Sequence, residues 1–309
     1  MDIKKYQGVF PAFWACYDKN GDVDLGLTQK MAEFLIGKGV QGFYVTGSSG
    51  ECVYQNVAER KAQLEAIMEV AKGKVTVISH VAANNTRDSQ ELAAHAEKMG
   101  VDAIATIPPI YFKLPEYAIC DYWNDISAAA PDTDYIIYNI PQLTGISLTV
   151  PMLNKMLENP KVIGVKNTSM AGFDIRIFKD AGEKVRGKDG FVVFNGPDEQ
   201  FVSGRIMGAD GGIGGTYTMM PELYLKANEY VNAGEFEKAK DVQADICRII
   251  QYIAGGKGWL YSLAKEVLRR REGVDAGEMR KPFPKYKEED IPRIEETCRM
   301  IDAAIAKTK

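Results

Sequence analysis

A single lysine, Lys166, follows an apolar stretch in K-V-I-G-V-K-N-T-S, residues 161–169. The β-branched residues Val162, Ile163 and Val165 are typical of a buried strand, and Lys166 stands at its carboxyl end. Burial removes water from an ammonium group and lowers its pKa, so the free amine becomes a nucleophile that can form a Schiff base with a carbonyl. A lysine at a strand end can also extend its amine into solvent, and this stretch alone does not decide between the two.

A second candidate site is the turn T-G-S-S-G-E at residues 46–51. Its two glycines permit a tight turn in which backbone N–H groups and the hydroxyls of Ser48 and Ser49 converge on one anion, such as a carboxylate. Runs of this composition are also common in turns that bind nothing. The motif therefore indicates an anion site only in combination with others.

Two tyrosines and an acidic pair follow other apolar stretches. Strand alternation allows Tyr138 to face inward beside Lys166, where its phenol could transfer a proton, and Tyr111 follows the turn I-P-P-I. Asp198 and Glu199, in N-G-P-D-E, suit the binding of several hydroxyl groups. Each also has a purely structural alternative, since a buried tyrosine is common in cores and acids favour helix N-termini.

The order of elements predicts how these residues are positioned. Apolar β-rich stretches alternate with helix-period segments up to about residue 222, and there are eight strand candidates. They are residues 8–16, 42–45, 75–79, 103–107, 135–138, 162–165, 191–194 and 211–213. The pattern predicts an α/β fold, a (β/α)8 TIM barrel, as a catalytic domain over residues 1–222. Residues 223–309 are predicted to form a C-terminal helical extension packed on the barrel or on a neighbouring subunit. Chemistry in such barrels collects at the carboxyl ends of the strands.

Composition excludes several classes of function. The 309 residues are 46% hydrophobic and 26% charged, and the net charge of −4 favours neither nucleic acid nor an anionic membrane. No apolar run approaches about 18 residues. Five scattered cysteines and an N-terminus without a signal-peptide pattern predict a cytoplasmic protein with reduced thiols. With only two histidines and no clustered ligands, we expect no metal site.

Four motifs together resemble one known family. They are G-S-S-G-E (47–51), Y-N-I-P (138–141), G-V-K-N-T-S (164–169) and N-G-P-D-E with G-A-D-G-G-I-G (195–199 and 208–214). In order and spacing this set is similar to the N-acetylneuraminate lyase and dihydrodipicolinate synthase superfamily of class I pyruvate-dependent aldolases, from about residue 8 to the C-terminus. The synthases usually carry an arginine shortly after Y-N-x-P, where this chain has Q-L-T-G. That absence and the D-E pair favour the lyase branch.

The resemblance implies a role for each candidate residue. Lys166 would form the Schiff base, Tyr138 would transfer the proton, and Ser48 and Ser49 would hold the substrate carboxylate. Tyr111 would enter the site of a neighbouring subunit in a homotetramer. The sugar would be bound by Thr168, Gly196, Asp198, Glu199 and Gly215.

Two of these positions depart from the family pattern. Many lyases have threonine in place of Ser49, a change that keeps the hydroxyl, and many have serine in place of Gly215, a change that removes one. The second departure leaves the fine sugar preference open.

The implied activity is the reversible cleavage of N-acetylneuraminate, a sialic acid, into N-acetylmannosamine and pyruvate, with no metal or organic cofactor. One alternative is a sister enzyme that uses the same lysine: a 2-keto-3-deoxy sugar acid aldolase or dehydratase, or dihydrodipicolinate synthase. A second alternative is a barrel that binds sugar acids without catalysis, since fold alone does not establish activity. Retention of the lysine, the tyrosine and the serine turn together argues against this second alternative.

Overall fold

Eight parallel strands form the centre of the protein, for which a computed structural model describes residues 3–308. The strands are β1 Gly8–Pro11, β2 Gly42–Val45, β3 Thr76–His80, β4 Ala103–Thr106, β5 Asp134–Asn139, β6 Val162–Asn167, β7 Val192–Asn195 and β8 Gly211–Gly214. Neighbours along the chain pair in parallel, and β8 pairs with β1. Hydrogen bonds from Gln41 N–H to Val9 O (3.1 Å) and from Phe13 N–H to Tyr44 O (2.9 Å) join β1 to β2. The predicted (β/α)8 TIM barrel is confirmed.

Helices separate successive strands and surround them. They are α1 Leu25–Lys38, α2 Val57–Ala71, α3 Thr86–Met99, α4 Glu116–Ala128, α5 Pro141–Thr144, α6 Val150–Met156, α7 Phe173–Arg186, α8 Phe201–Ile206, α9 Pro221–Asn232, α10 Phe236–Ala254, α11 Leu260–Glu272 and α12 Ile291–Ala306. Capping residues determine where several of these helices begin or end. Asn56 and Glu59 form a reciprocal capping box at the start of α2. Gly39 and Gly100 end α1 and α3 in the left-handed conformation that glycine adopts without strain.

The last four helices do not all have the same position in the fold. Helix α9 follows β8 and packs on β1 and α8, whereas α10 packs on α9 and α12, and α11 packs on α12. The division of the chain at residue 222 falls within α9, and it stays a prediction. None of the helices within residues 3–308 combines the length and apolar composition that a membrane crossing requires.

Strand alternation sorts the apolar side chains into two layers. One set fills the barrel interior and includes Phe10, Tyr44, Ile136, Tyr138 and Phe194. The other set lies between the outer face of the strands and the helices. The interior is therefore packed at its centre, and space for a ligand is available only at its ends.

Strand β6 breaks the alternation immediately before Lys166. Val162 and Gly164 oppose consecutive residues of β5, so Ile163 is an extra residue in the strand. As a result Val162 and Val165, three positions apart, both pack toward the helices. Lys166 then points into the barrel. Under strict alternation it would share the outward face of Val162.

The same irregularity requires a glycine at position 164. A Cβ on Gly164 would lie 2.5 Å from the backbone oxygen of Val192, which cannot move aside without disturbing β7. We expect Gly164→Ala to lower the free energy of unfolding by about 1–3 kcal/mol, measured by urea titration. Gly37→Ala in α1 is the matched control, because a Cβ added there would have nothing within 4 Å and alanine favours a helix. Equal stability of the two variants would contradict this account of β6.

Candidate active site

Lys166 is the last inward-facing residue of β6, and its side chain is almost completely buried. Its Nζ lies 3.9 Å from the ring centroid of Tyr138 and 4.1 Å from that of Tyr44. Burial lowers the pKa of this amine to about 7, and the negative charge of Asp198 opposes the shift only in part. At neutral pH a large fraction of Lys166 is therefore an uncharged nucleophile, whereas an ordinary lysine is almost fully protonated.

Tyr138 lies directly opposite Lys166 in the pairing of β5 with β6. Burial raises the pKa of its phenol to about 12. The hydroxyl is therefore protonated at neutral pH. It can donate a proton to a neighbouring carbon or oxygen, and it can accept one only while passing its own proton onward.

Tyr44 and His80 complete an aromatic enclosure around the amine. The imidazole of His80 lies 6.1 Å from both the Tyr44 and Tyr138 rings, between centroids. Its Nδ1 is 3.0 Å from the carbonyl oxygen of Thr46, to which it donates a hydrogen bond. Burial, and next the charge of Arg60, hold the pKa of His80 well below its usual range, so the ring is neutral. The neutral His80 ring thus packs beside the two tyrosine rings against which Lys166 lies.

The serine turn is held in a strained conformation. Thr46 and Glu51, which flank it, have φ values of 53° and 55°, in the left-handed region that costs non-glycine residues energy. The Thr46 hydroxyl donates to the carbonyl oxygen of His80 at 2.8 Å. The buried Glu51 carboxylate accepts the backbone N–H of Arg280 at 3.0 Å and lies 3.7 Å from the Lys265 ammonium. These contacts fix the turn so that both of its serines reach the site.

The acidic pair begins after β7, across the barrel end from the serine turn. Asp198 accepts the backbone N–H and the hydroxyl of Thr216, at 2.7 and 2.6 Å. Burial raises the pKa of Asp198 to about 6 despite these donors. Glycine is needed nearby, because a Cβ on Gly214 would lie 2.2 Å from Asp198 Oδ1 and one on Gly196 would lie 1.9 Å from the Thr168 hydroxyl. Glu199 is exposed at the rim.

One cavity of about 570 Å³ joins these groups at the carboxyl end of the barrel. It is lined by every predicted site residue except Tyr111: Ser48, Ser49, Tyr138, Lys166, Thr168, Gly196, Asp198, Glu199 and Gly215. Tyr111 lies outside it, 90% exposed, with a φ of 85° and its ring against that of Phe112. Within this one subunit, therefore, Tyr111 does not reach the site.

The sequence pattern did not indicate a further wall of the cavity, which comes from the C-terminal helices and the segment between α11 and α12. This wall includes Ile250, Trp259, Leu260, Tyr261, Met279 and Phe283. The Trp259 and Phe283 rings are 5.1 Å apart, and Tyr54 continues the row at 5.1 Å from Phe283. No local signal distinguishes these residues from ordinary core residues, because helical periodicity does not tell which partner an apolar face meets.

Comparisons with known proteins agree with this geometry. The model of the dihydrodipicolinate synthetase family matches residues 5–301. The chain is 54% identical to an N-acetylneuraminate lyase of Mediterraneibacter gnavus, over 97% of this chain and 94% of the relative. It is 34% identical to the N-acetylneuraminate lyase of Salmonella typhimurium, over 94% of this chain and 95% of the relative.

Solved structures give the same grouping. The wild-type sialic acid aldolase of Ruminococcus gnavus is 53% identical and superposes with a TM-score of 0.96, covering 99% of this chain and 100% of that chain. That aldolase has also been solved as a catalytic lysine mutant. The N-acetylneuraminate lyase of Fusobacterium nucleatum complexed with pyruvate is 28% identical, with a TM-score of 0.87 over 96% of this chain and 98% of that chain. The chain thus belongs to the dihydrodipicolinate synthetase family and groups within it with the N-acetylneuraminate lyases.

Proposed function

We propose that this chain cleaves N-acetylneuraminate reversibly into N-acetylmannosamine and pyruvate, as a class I aldolase. The observation that carries the proposal is the Lys166 amine, buried between two tyrosine rings at the base of the cavity with a pKa of about 7. Such an amine suits attack on a ketone. The serine turn after β2 and the acidic pair after β7 line the same cavity as this amine, and together they suit a substrate with a carboxylate at one end and hydroxyls at the other.

Bond formation to Lys166 starts the reaction in this proposal. The uncharged amine attacks the C2 ketone of the open-chain sugar acid, whose carboxylate is held by Ser48 and Ser49. The adduct takes up one proton at its hydroxyl and loses water, which leaves a protonated imine. The positive imine nitrogen is the electron sink that the next step requires.

Cleavage of the C3–C4 bond follows. The C4 hydroxyl loses its proton to Tyr138, whose own proton passes to the substrate carboxylate because the phenol is not ionised beforehand. The electrons of the broken O–H bond form the C=O of the N-acetylmannosamine aldehyde, and the C3–C4 electrons move toward the imine to give an enamine. Protonation of C3 and addition of water then release pyruvate and restore the amine.

The distal part of the sugar is assigned to the acidic side of the cavity. Thr168 and Gly196 would lie along the sugar chain, and Asp198 and Glu199 would accept hydrogen bonds from its hydroxyls. The Thr216 contacts keep Asp198 in place for that purpose. Gly215 would contact the sugar through its backbone only.

A homotetramer is part of the proposal. Tyr111 is exposed together with Phe112 and Tyr117, at 90%, 70% and 72%. An exposed aromatic group of this kind favours burial at a subunit contact. Tyr111 would there complete the site of the neighbouring subunit.

Borohydride trapping tests the proposal. The protein is incubated with pyruvate or with N-acetylneuraminate, reduced, and the modified peptide is mapped by mass spectrometry. We expect a pyruvyl adduct on Lys166 from both compounds, and N-acetylmannosamine in the second reaction. An adduct from pyruvate alone would instead indicate a sister aldolase or synthase, and no adduct from either would indicate a binding protein.

The activity should depend on pH through Lys166. Its pKa of about 7 means that the reactive neutral amine is lost as pH falls through 7, and the charge of Asp198 is lost as pH falls through about 6. Both changes act in the same direction, so kcat/KM should fall on acidification between about pH 8 and 6. Steady-state rates of N-acetylneuraminate cleavage, recorded between about pH 8 and 6, give this pH dependence of kcat/KM. A kcat/KM that is constant over this interval would contradict the assignment of Lys166 as the nucleophile.

A further inference from the structure

We propose that Tyr261 is a substrate-contacting residue that determines sugar specificity, its hydroxyl donating a hydrogen bond to the sugar chain between the carboxylate and the hydroxyls held by Asp198. This inference rests on the proposed function and extends it to a residue that the sequence motifs did not indicate. Tyr261 belongs to the first turn of α11, far from the barrel strands in sequence.

The relation between Tyr261 and Gly215 is the first observation. A Cβ on Gly215 would lie 1.9 Å from the Tyr261 hydroxyl oxygen and 2.6 Å from the ring carbon that bears it. The backbone of Gly215 does not itself require glycine, because its φ and ψ of −77° and −35° suit any residue. Glycine is needed there because the phenol of Tyr261 fills the space that a side chain at position 215 would occupy. The hydroxyl at this point of the cavity therefore comes from α11 and not from the barrel.

The position of the hydroxyl is the second observation. The Ser49 hydroxyl donates to the Tyr261 oxygen at 3.2 Å, so the proton of the phenol is free for another acceptor. Tyr261 lines the same cavity as Lys166 and Asp198. Burial, and next the negative charge of Asp198, raise the pKa of Tyr261, which keeps it a donor at neutral pH. A free donor between the serine turn and the acidic pair faces the middle of a bound sugar acid.

The ring is held rigidly enough to act in recognition. Its centroid lies 5.9 Å from the Trp14 ring, and Trp14 Nε1 donates to the carbonyl oxygen of Gly215 at 2.9 Å. Trp14 therefore contacts both Gly215 and Tyr261 and holds them in place relative to each other. A donor fixed in this way rejects substrates that leave it without an acceptor.

Tyr261→Phe is the first test, because it keeps the ring and removes only the hydroxyl. We expect kcat/KM for N-acetylneuraminate to fall about 5- to 10-fold, as for loss of one hydrogen bond, while the rate of pyruvate trapping on Lys166 stays at the wild-type value. Tyr230→Phe, on the outer helix α9, is the control and should leave both rates unchanged.

Two outcomes would overturn the inference. Parallel losses in trapping and cleavage would mean that Tyr261 only positions Ser49, and no loss in either would mean that its hydroxyl does not contact the sugar. These results differ from failure of the proposed function, in which the wild-type protein itself forms no adduct and releases no N-acetylmannosamine.

A second test moves the hydroxyl from α11 to the barrel. In a Tyr261→Ala background, which clears the space, Gly215→Ser and Gly215→Ala differ by one hydroxyl in nearly the same place. We expect the serine variant to have several-fold higher kcat/KM for N-acetylneuraminate than the alanine variant. Gly215→Ser alone should be more harmful than in the Tyr261→Ala background, because the phenol then has no room. Equal rates for the serine and alanine variants would contradict the proposed contact.

Discussion

Replacing Lys166 by methionine is expected to lower kcat for cleavage of N-acetylneuraminate by more than about 10³-fold, since among residues 3–308 no other lysine lines the cavity to supply the imine that accepts the C3–C4 electrons. Methionine, like lysine, has an unbranched side chain, and it can fill the space between the rings of Tyr44 and Tyr138, so the cavity should keep its shape. Coupled detection of pyruvate measures the loss. Borohydride trapping on the same variant should give no pyruvyl adduct.

The control for this experiment is Lys161→Met. Lys161 lies five positions earlier, just outside β6, and its side chain is partly exposed. Because Lys166 lines the cavity and Lys161 does not, this variant should retain wild-type kcat and trapping. Turnover of Lys166→Met near the wild-type level would reject the Schiff-base scheme, whatever adducts pyruvate forms elsewhere.

The strands were predictable because each is short, apolar and followed by a turn signal. Strands β2 to β8 lie within one or two residues of their predicted ends. The exception is β1, predicted over residues 8–16 and observed as Gly8–Pro11. Ala12 and Phe13 still donate their backbone N–H groups to β8 and β2, whereas residues 14–16 are equally buried but pair with no strand, and Trp14 donates to Gly215 O through its side chain. Apolar composition reports burial, and it does not distinguish a strand from a buried connection.

The positions of the barrel site residues were predictable from topology, because parallel strands bring their carboxyl ends to one edge. Two features of the site were not. The extra residue Ile163 in β6 turns Lys166 inward, yet nothing in the letters K-V-I-G-V-K marks a change of face. Tyr261 reaches the cavity by tertiary packing of α11, and nothing in the glycine-rich run around Gly215 indicates that this glycine makes room for its phenol. Both depend on contacts between segments distant in sequence.

The second large effect concerns Tyr138→Phe. We expect kcat to fall by about 10²-fold or more, because the C4 hydroxyl then has no group to accept its proton and the enamine has no donor at C3. The ring remains, so the 3.9 Å contact with the Lys166 amine should persist. Pyruvate should consequently still be trapped on Lys166, although more slowly if the phenol also assists loss of water. Chemical quench of a single turnover separates bond cleavage from product release.

Tyr44→Phe is the matched control for Tyr138→Phe and makes the comparison decisive. Both rings lie against Lys166 at nearly equal distances and both are buried. The Tyr44 hydroxyl has no hydrogen-bond partner among residues 3–308, and its removal should change kcat by less than about 3-fold. If the loss of kcat in Tyr138→Phe came only from altered desolvation of the amine, the two variants would lose activity equally. A large loss confined to Tyr138→Phe therefore assigns the proton transfer to that phenol. Equal losses would mean that both tyrosines act only by packing around Lys166.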